Sequence, residues 1–315
     1  MNPEKTTVII NPAAAAGRVG KRREAIERSL REHLGHVRVL YTERSGHAID
    51  LARGAVEGGA TSLLSLGGDG THSEVVNGIM GASPEPGAVA LGILPAGTGG
   101  DFKRLLRNSA DVEASTLALR DAEAFPIDVG SLRFRGDGGG DESRFFLNVT
   151  SFGIGGLVDR LVNESPKALG GRISFLVGTL RAMLHYRPAK IRLWVDDALA
   201  GEYEVTNIVV CNGRFAAGGM MFAPEARLAD GLFDVVIVKH ASYLRTLTLS
   251  GTIYRGTHTR SSLVEIHRGR KIRAETVSDN PAYIDVDGEP TGTLPIEFTV
   301  LPGAIRLYNP RPDVL

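Results

Sequence analysis

A change of period near residue 130 constrains the fold of this 315-residue chain more than any other feature. Before it, short β-rich runs alternate with helical patterns. After it, strand-like runs follow one another with turn signals between them. The first pattern gives a mostly parallel sheet covered by helices, and the second gives an antiparallel sandwich. No long linker separates the two, so the boundary is a switch between adjoining domains.

In the first part, strands are expected at Thr6–Ile10, Val37–Tyr41, Leu63–Leu66 and Val89–Leu94. Between them, Lys21–Leu34 carries Ile26, Leu30 and Leu34 on one helix face. Ser45 can cap a helix running through Val56, and Ser73–Met80 continues as helix, as do segments from Phe102 and from Asp111 to Asp121. In the second part, strands are expected at Ile127–Gly130, Leu132–Phe134, Phe145–Val149, Ala189–Val195, Glu202–Cys211 and Phe233–Lys239. Further strands follow at Leu263–His267, Lys271–Thr276, Tyr283–Val286 and Ile296–Leu301. Arg135–Glu142 reads as a polar hairpin loop, and Ile173–His185 and Tyr243–Tyr254 read as helices. The predicted class is α/β plus all-β, with an α/β domain over 1–130 and an antiparallel β-sandwich domain over 131–301.

Charge narrows the partners. Lys+Arg and Asp+Glu both number 36, so a broad electrostatic footprint for nucleic acid is not expected. The single cysteine, Cys211, ends the apolar run Ile208–Cys211 and reads as an inert core thiol, which fits a reducing, cytoplasmic compartment. No run approaches the ~18 apolar residues of a membrane-spanning helix. The N-terminus enters a strand within a few residues, without a leader pattern. Any membrane contact is therefore expected to be peripheral. The basic stretches Arg181–Arg192 and His267–Arg273 could touch anionic headgroups or be ordinary solvated faces.

The chemistry lies in a few short segments. Gly67-Gly68-Asp69-Gly70-Thr71 follows an apolar strand and opens a helix. Glycine there permits positive φ and close backbone approach, the helix N-terminus favours phosphate, and Asp69 offers an oxygen to Mg²⁺. Pro95–Asp101 is a second glycine-rich strand-to-helix loop, with Thr98 and Asp101 as its polar members. In a parallel sheet such loops gather with the Asn11-Pro12 loop at the strand carboxyl ends, where α/β ligands bind. Far along the chain, Asp287-Gly288-Glu289 is either a carboxylate pair for metal contact and general-base duty or a surface hairpin turn. Asp230, in the Gly/Asp-rich loop before Phe233, is either a cation ligand or a turn residue. The sequence contains no Walker A motif, Rossmann fingerprint, nucleophile elbow or zinc pattern.

The order of these motifs resembles the diacylglycerol kinase catalytic family, in the bacterial lipid-kinase branch related to sphingosine and ceramide kinases. The resemblance runs over nearly the whole chain. It is carried by Asn11-Pro12, Gly67–Thr71 with Glu74 and Asn77, Gly97-Thr98 with Asp101-Phe102, and Ile127-Asp128. It continues through Gly153-Ile154-Gly155, Ala223-Pro224, Leu228 with Asp230-Gly231, Phe233-Asp234 and Asp287-Gly288-Glu289. It implies an NAD-kinase-like first domain, to which the last segment, 302–315, returns, and ATP bound in the cleft between domains. On the matched positions, Asn11, Thr42, Gly67, Gly68, Asp69, Gly70, Thr71, Glu74, Thr98 and Asp101 would bind nucleotide. Asp69, with Asp101, Asp128 and Asp287, would organise catalytic Mg²⁺. Glu289 would be the general base. Asp230, with the main-chain carbonyls of Arg227 and Leu232, would hold a structural Mg²⁺.

Two positions depart from the family pattern. The first loop reads Ala13-Ala14-Ala15-Ala16-Gly17 where Ser or Gly is usual, and Gly100 replaces an Asn. The resemblance implies an ATP- and Mg²⁺-dependent kinase of a lipid hydroxyl, with diacylglycerol as the first acceptor to test. Sandwich edges in the family can pair, so a homodimer is allowed. The rivals are a kinase of another lipid, an NAD kinase, and a non-catalytic nucleotide-binding accessory protein.

Overall fold

A computed structural model describes residues 1–96, 100–106, 112–136, 138–163 and 186–315. The expected helix Ile173–His185 and the first five residues of the basic stretch Arg181–Arg192 lie outside these residues, as does Thr98. The chain divides into two compact units: Met1–Val129 with Arg227–Gly231 and Leu301–Leu315, and Gly130–Ala226 with Leu232–Val300.

The first unit contains β1 (Thr6–Ile10), α1 (Arg18–Lys21), α2 (Arg23–Leu34), β2 (Arg38–Tyr41), α3 (His47–Glu57), β3 (Ser62–Gly67) and α4 (Asp69–Gly81). After them come β4 (Ala90–Pro95), a single 3-10 turn at Phe102–Leu105, α5 (Val112–Arg120) and the start of β5 (Ala124–Gly136). The helix expected from Phe102 is therefore only that one turn. Ser45 is not the cap of α3 either: Gly46, in the left-handed region, holds that position.

Among the described residues β2, β1, β3 and β4 pair in parallel in that order, and Arg306 and Leu307 of the last strand add alongside β4. One face of the sheet is packed by Ile26, Leu30 and Leu34 of α2 with Leu119 of α5, against Val8, Ile10, Leu64 and Leu66. This is the stripe that the helical spacing announced. α3 and α4 pack closely because Gly78 has no side chain; a Cβ there would lie 2.4 Å from the Ile49 carbonyl oxygen.

The second unit contains the end of β5, β6 (Asp141–Phe146), β7 (Val149–Gly153), α6 (Ile154–Asn163), β8 (Ala189–Val195) and β9 (Ala198–Cys211). Then come β10 (Phe215–Ala216), β11 (Met220–Met221), β12 (Phe233–Lys239) and α7 (Tyr243–Ile253). The last strands are β13 (Val264–Gly269), β14 (Lys271–Thr276), β15 (Tyr283–Val286) and the part of β16 (Glu289–Tyr308) before Leu301, where the strand passes into the first unit.

The antiparallel pairings form a closed circuit, β9 to β8, β14, β16, β15, β7 and back to β9. Closure removes free edges from these six strands. Among the described residues β12 and β13 extend outward from β9, and β5 and β6 from β16. Phe146, Phe152, Phe233 and Phe298 fill the interior, with ring centroids 5.5–6.4 Å apart.

Three strand boundaries differ from expectation. β5 is one continuous strand, and its pairing with β6 extends to Arg135 opposite Asp141, which shortens the polar loop. The run Phe145–Val149 is interrupted at Leu147-Asn148, between β6 and β7. Ile296–Leu301 is the middle of a much longer strand.

Candidate active site

Parallel register brings four strand ends to one edge. Ile10 pairs with Tyr41 and Leu66, and Gly67 pairs with Pro95. The residues that follow these strands must therefore emerge together, and β1 lies between β2 and β3, where the strand order turns back. An open cleft of about 450 Å³ occupies this edge. It is lined by residues 11–15 after β1, by 42–45 after β2, and by Gly68, Gly70, Thr71 and Glu74 at the start of α4.

Local contacts fix the walls. The Asn11 side chain donates to Thr71 Oγ1 at 3.0 Å and accepts the Ala13 N–H at 3.0 Å, which ties the first loop to the first turn of α4. The role of the glycines differs from expectation. None of Gly67, Gly68 and Gly70 is among the glycines at positive φ. Gly67 is needed for close approach instead, since a Cβ there would lie 2.5 Å from Thr71 Cβ and Oγ1. No side chain caps α4 at Gly68, so the N–H groups of its first turn remain available to an anion. In the alanine loop, Ala15 and Ala16 stand at φ 53° and 56°, followed by Gly17 at 77°. A Cβ in that region is strained.

Glu74 lines the cleft, yet its two oxygens also accept the Gly46 and Ala48 N–H groups at 2.8 and 3.1 Å. It is the carboxylate cap that α3 lacks in its own sequence. Arg44, which no motif singled out, is a cation on the same wall, 3.1 Å from Asp50.

Asp69 reaches the second glycine loop. Its oxygens accept the Asp101 and Phe102 N–H groups at 2.8 and 3.2 Å. Gly100 lets that backbone close in, since a Cβ there would lie 3.1 Å from Asp69 Oδ1. Burial and the neighbouring Asp101 carboxylate push the Asp69 carboxyl above its ordinary range, against the pull of the two N–H groups. Asp101 itself is buried beside Arg104, with Nε to Oδ1 at 3.4 Å.

Asp128 serves a different neighbourhood. It is buried and accepts the Gly231 N–H at 2.7 Å and the Gly303 N–H at 2.9 Å, so it joins the 227–231 segment and the last strand to the first unit. Burial raises its carboxyl, and Asp230 nearby raises it further. Arg227 and Asp230 lie on that short segment, and Leu232 is the first residue after it. The Leu228 N–H donates to the Val314 carbonyl at 2.7 Å, and Arg227 Nη1 reaches the Leu315 carbonyl at 3.3 Å.

Asp287 and Glu289 stand in the second unit. Asp287 and Gly288 have φ 48° and 90°, and Val286 pairs with Glu289, the pattern of a two-residue hairpin turn. The Asp287 carboxylate accepts the Leu147, Asn148 and Val149 N–H groups at 3.3, 3.3 and 3.0 Å. It thereby satisfies the backbone where β6 breaks from β7. Glu289 pairs with Arg144 of β6 at 3.2 Å, both half-exposed. Arg144 escaped the sequence reading because the partners are 145 residues apart.

Residues 5–132 match the family described as the diacylglycerol kinase catalytic domain, and residues 148–309 match the YegS C-terminal NAD kinase beta sandwich-like domain. A protein of Chromohalobacter salexigens named "Probable lipid kinase YegS-like" is 32% identical over 98% of this chain and 94% of its own length. A Staphylococcus epidermidis protein named diacylglycerol kinase is 28% identical over 86% of this chain and 81% of its own. A crystal structure of a diacylglycerol kinase from Bacillus anthracis superposes with a TM-score of 0.71 at 20% identity, covering 99% of this chain and 98% of the other. Yeast NADH kinase, solved with NADH, shares the fold with a TM-score of 0.55 at 13% identity, covering 99% and 85%.

Proposed function

The chain belongs to the diacylglycerol kinase catalytic-domain family of lipid kinases, and we propose that it moves the γ-phosphate of ATP onto the free hydroxyl of diacylglycerol, giving phosphatidic acid, with Mg²⁺ as cofactor. The observation that carries this reading is the cleft at the carboxyl edge of the parallel sheet. Asn11, Thr42, Gly68, Gly70, Thr71 and Glu74 all line it.

In this mechanism the unpaired N–H groups opening α4 bind phosphate oxygens, and Asn11 holds the loop and Thr71 in place. Asp69 fits a metal site, because each of its oxygens accepts one N–H and keeps a second lone pair, and its burial, only partly offset by Arg104, disfavours the bare charge. Asp101 adds a second carboxylate there. Asp230 beside Asp128 is a like-charged oxygen pair that suits a second Mg²⁺, with the Arg227 and Leu232 carbonyls as hard donors. Mg²⁺, when bound, neutralises charge on the transferring phosphate. Glu289 takes the proton of the lipid hydroxyl as that oxygen bonds to the γ-phosphorus and the bond to ADP breaks. Arg144 holds the base in position.

Incubation with labelled ATP, Mg²⁺ and a lipid extract tests the reading, with Glu289→Gln as control. We expect labelled phosphatidic acid from the wild type. The variant should turn over about a hundredfold slower, with ATP binding unchanged. Another labelled lipid would correct the acceptor. Label on NAD, offered in parallel, or ATP binding with no transfer to any acceptor would overturn the proposal.

A further inference from the structure

No helix among the described residues is long and apolar enough to cross a membrane, so a lipid substrate must be met at a surface. We propose that the outer face of α7 in the second unit docks on anionic lipid headgroups. This deepens the lipid-kinase reading and rests on it for its purpose, but its test does not require turnover.

The helix is already anchored by its inner side. Leu249 and Ile253, one turn apart, are buried. Just beyond the helix, Gly256 turns the chain at φ 69°, and buried His258 bonds through Nε2 to the Phe222 carbonyl at 2.9 Å. The opposite side still carries large apolar groups. Leu247 and Tyr254 are 51% and 53% exposed and stand seven residues apart, two turns along the same face, with exposed Gly251 between them.

Charge selects the occupant. The whole chain is neutral, yet no Asp or Glu occurs between Asp234 and Glu265. Arg255 and Arg260, just past the end of α7, are exposed and have no acidic partner among the described residues. The stretch His267–Arg273, from β13 across the turn into β14, makes the contrast. His267 lies against Glu265, Arg268 against Asp234, Lys271 against Asp197 and Arg273 against Glu275, so most of its positive charge is answered within the protein. Two protruding apolar side chains cannot bury the ~1,200 Å² expected of a stable protein interface. They do suit a headgroup layer, where Leu and the Tyr ring insert and Arg stems snorkel toward phosphate.

The test is co-sedimentation of the full chain with vesicles of phosphatidylglycerol and phosphatidylcholine in equal parts, and with phosphatidylcholine alone. Wild type should bind the anionic vesicles, lose them at high salt and ignore the neutral ones. Leu247→Glu/Tyr254→Glu and Arg255→Glu/Arg260→Glu should each weaken binding by about tenfold or more. Both should keep the wild-type melting temperature and phosphoryl transfer to detergent-dispersed diacylglycerol. Wild-type failure to bind, or unimpaired binding by both folded variants, overturns the docking face. Concentration-dependent self-association abolished by Leu247→Glu/Tyr254→Glu overturns it in favour of a contact between copies. Vesicle binding that needs this face, without phosphoryl transfer by wild type, upholds the face and overturns the kinase reading instead.

Discussion

Three of the candidate aspartates, Asp69, Asp128 and Asp287, aim their oxygens at backbone N–H groups. Each organises backbone beside any chemistry it performs. Asp287→Asn keeps one acceptor oxygen for the Asn148 and Val149 N–H groups and sets an NH2 donor against the Leu147 N–H. It should cost about 1–3 kcal/mol in denaturant unfolding as well as activity. Unchanged stability would assign Asp287 to chemistry alone. Ala16 carries strain in the opposite sense: Ala16→Gly relieves a Cβ at φ 56° and should stabilise by about 0.5–1 kcal/mol in the same measurement. The types of these residues were legible in sequence. Their partners were not, because Asp287 meets residues some 140 positions away.

At the scale of elements, the strand–turn–helix unit β3–α4 is local, and its glycine run announced it. The reason for Gly67 is a contact with Thr71 inside the same unit. Gly67→Ala should force the first turn of α4 outward, costing about 1–3 kcal/mol in a thermal melt. It should also raise the KM for ATP by loosening the Asn11–Thr71 tie. A melt within error of wild type would show that the turn yields freely. α3 illustrates what local reading misses. Its sequence suggested a serine cap, but the N-terminal N–H groups are taken by Glu74, 28 residues away from Gly46. A carboxylate supplied by the neighbouring helix leaves no mark in the capping pattern of α3.

For the whole molecule, buried His72 links acidity to folding. It lies between Ser65, 2.8 Å from Nδ1, and the Phe102 ring. Burial pushes its pKa down to about 3 from an ordinary 6.5. Between those values the unfolded chain takes a proton that the folded chain refuses. Stability from this group is therefore full above pH 6.5 and falls as pH drops toward 3, at up to ~1.4 kcal/mol per pH unit. His72→Gln should flatten that limb in denaturation series from pH 7 to 4; an unchanged slope would place the acid sensitivity in the carboxylates.

The sequence by itself determined the two classes of structure, because helical and strand periods are set by neighbours three, four or two residues away. It also determined which turns emerge at one sheet edge, since parallel strands all end on the same side. Only the tertiary structure decided the closed circuit of the second unit, the capping of α3 by Glu74 and the meeting of Arg144 with Glu289. Each joins residues whose separation along the chain carries no period, so only packing and backbone satisfaction in three dimensions could select them.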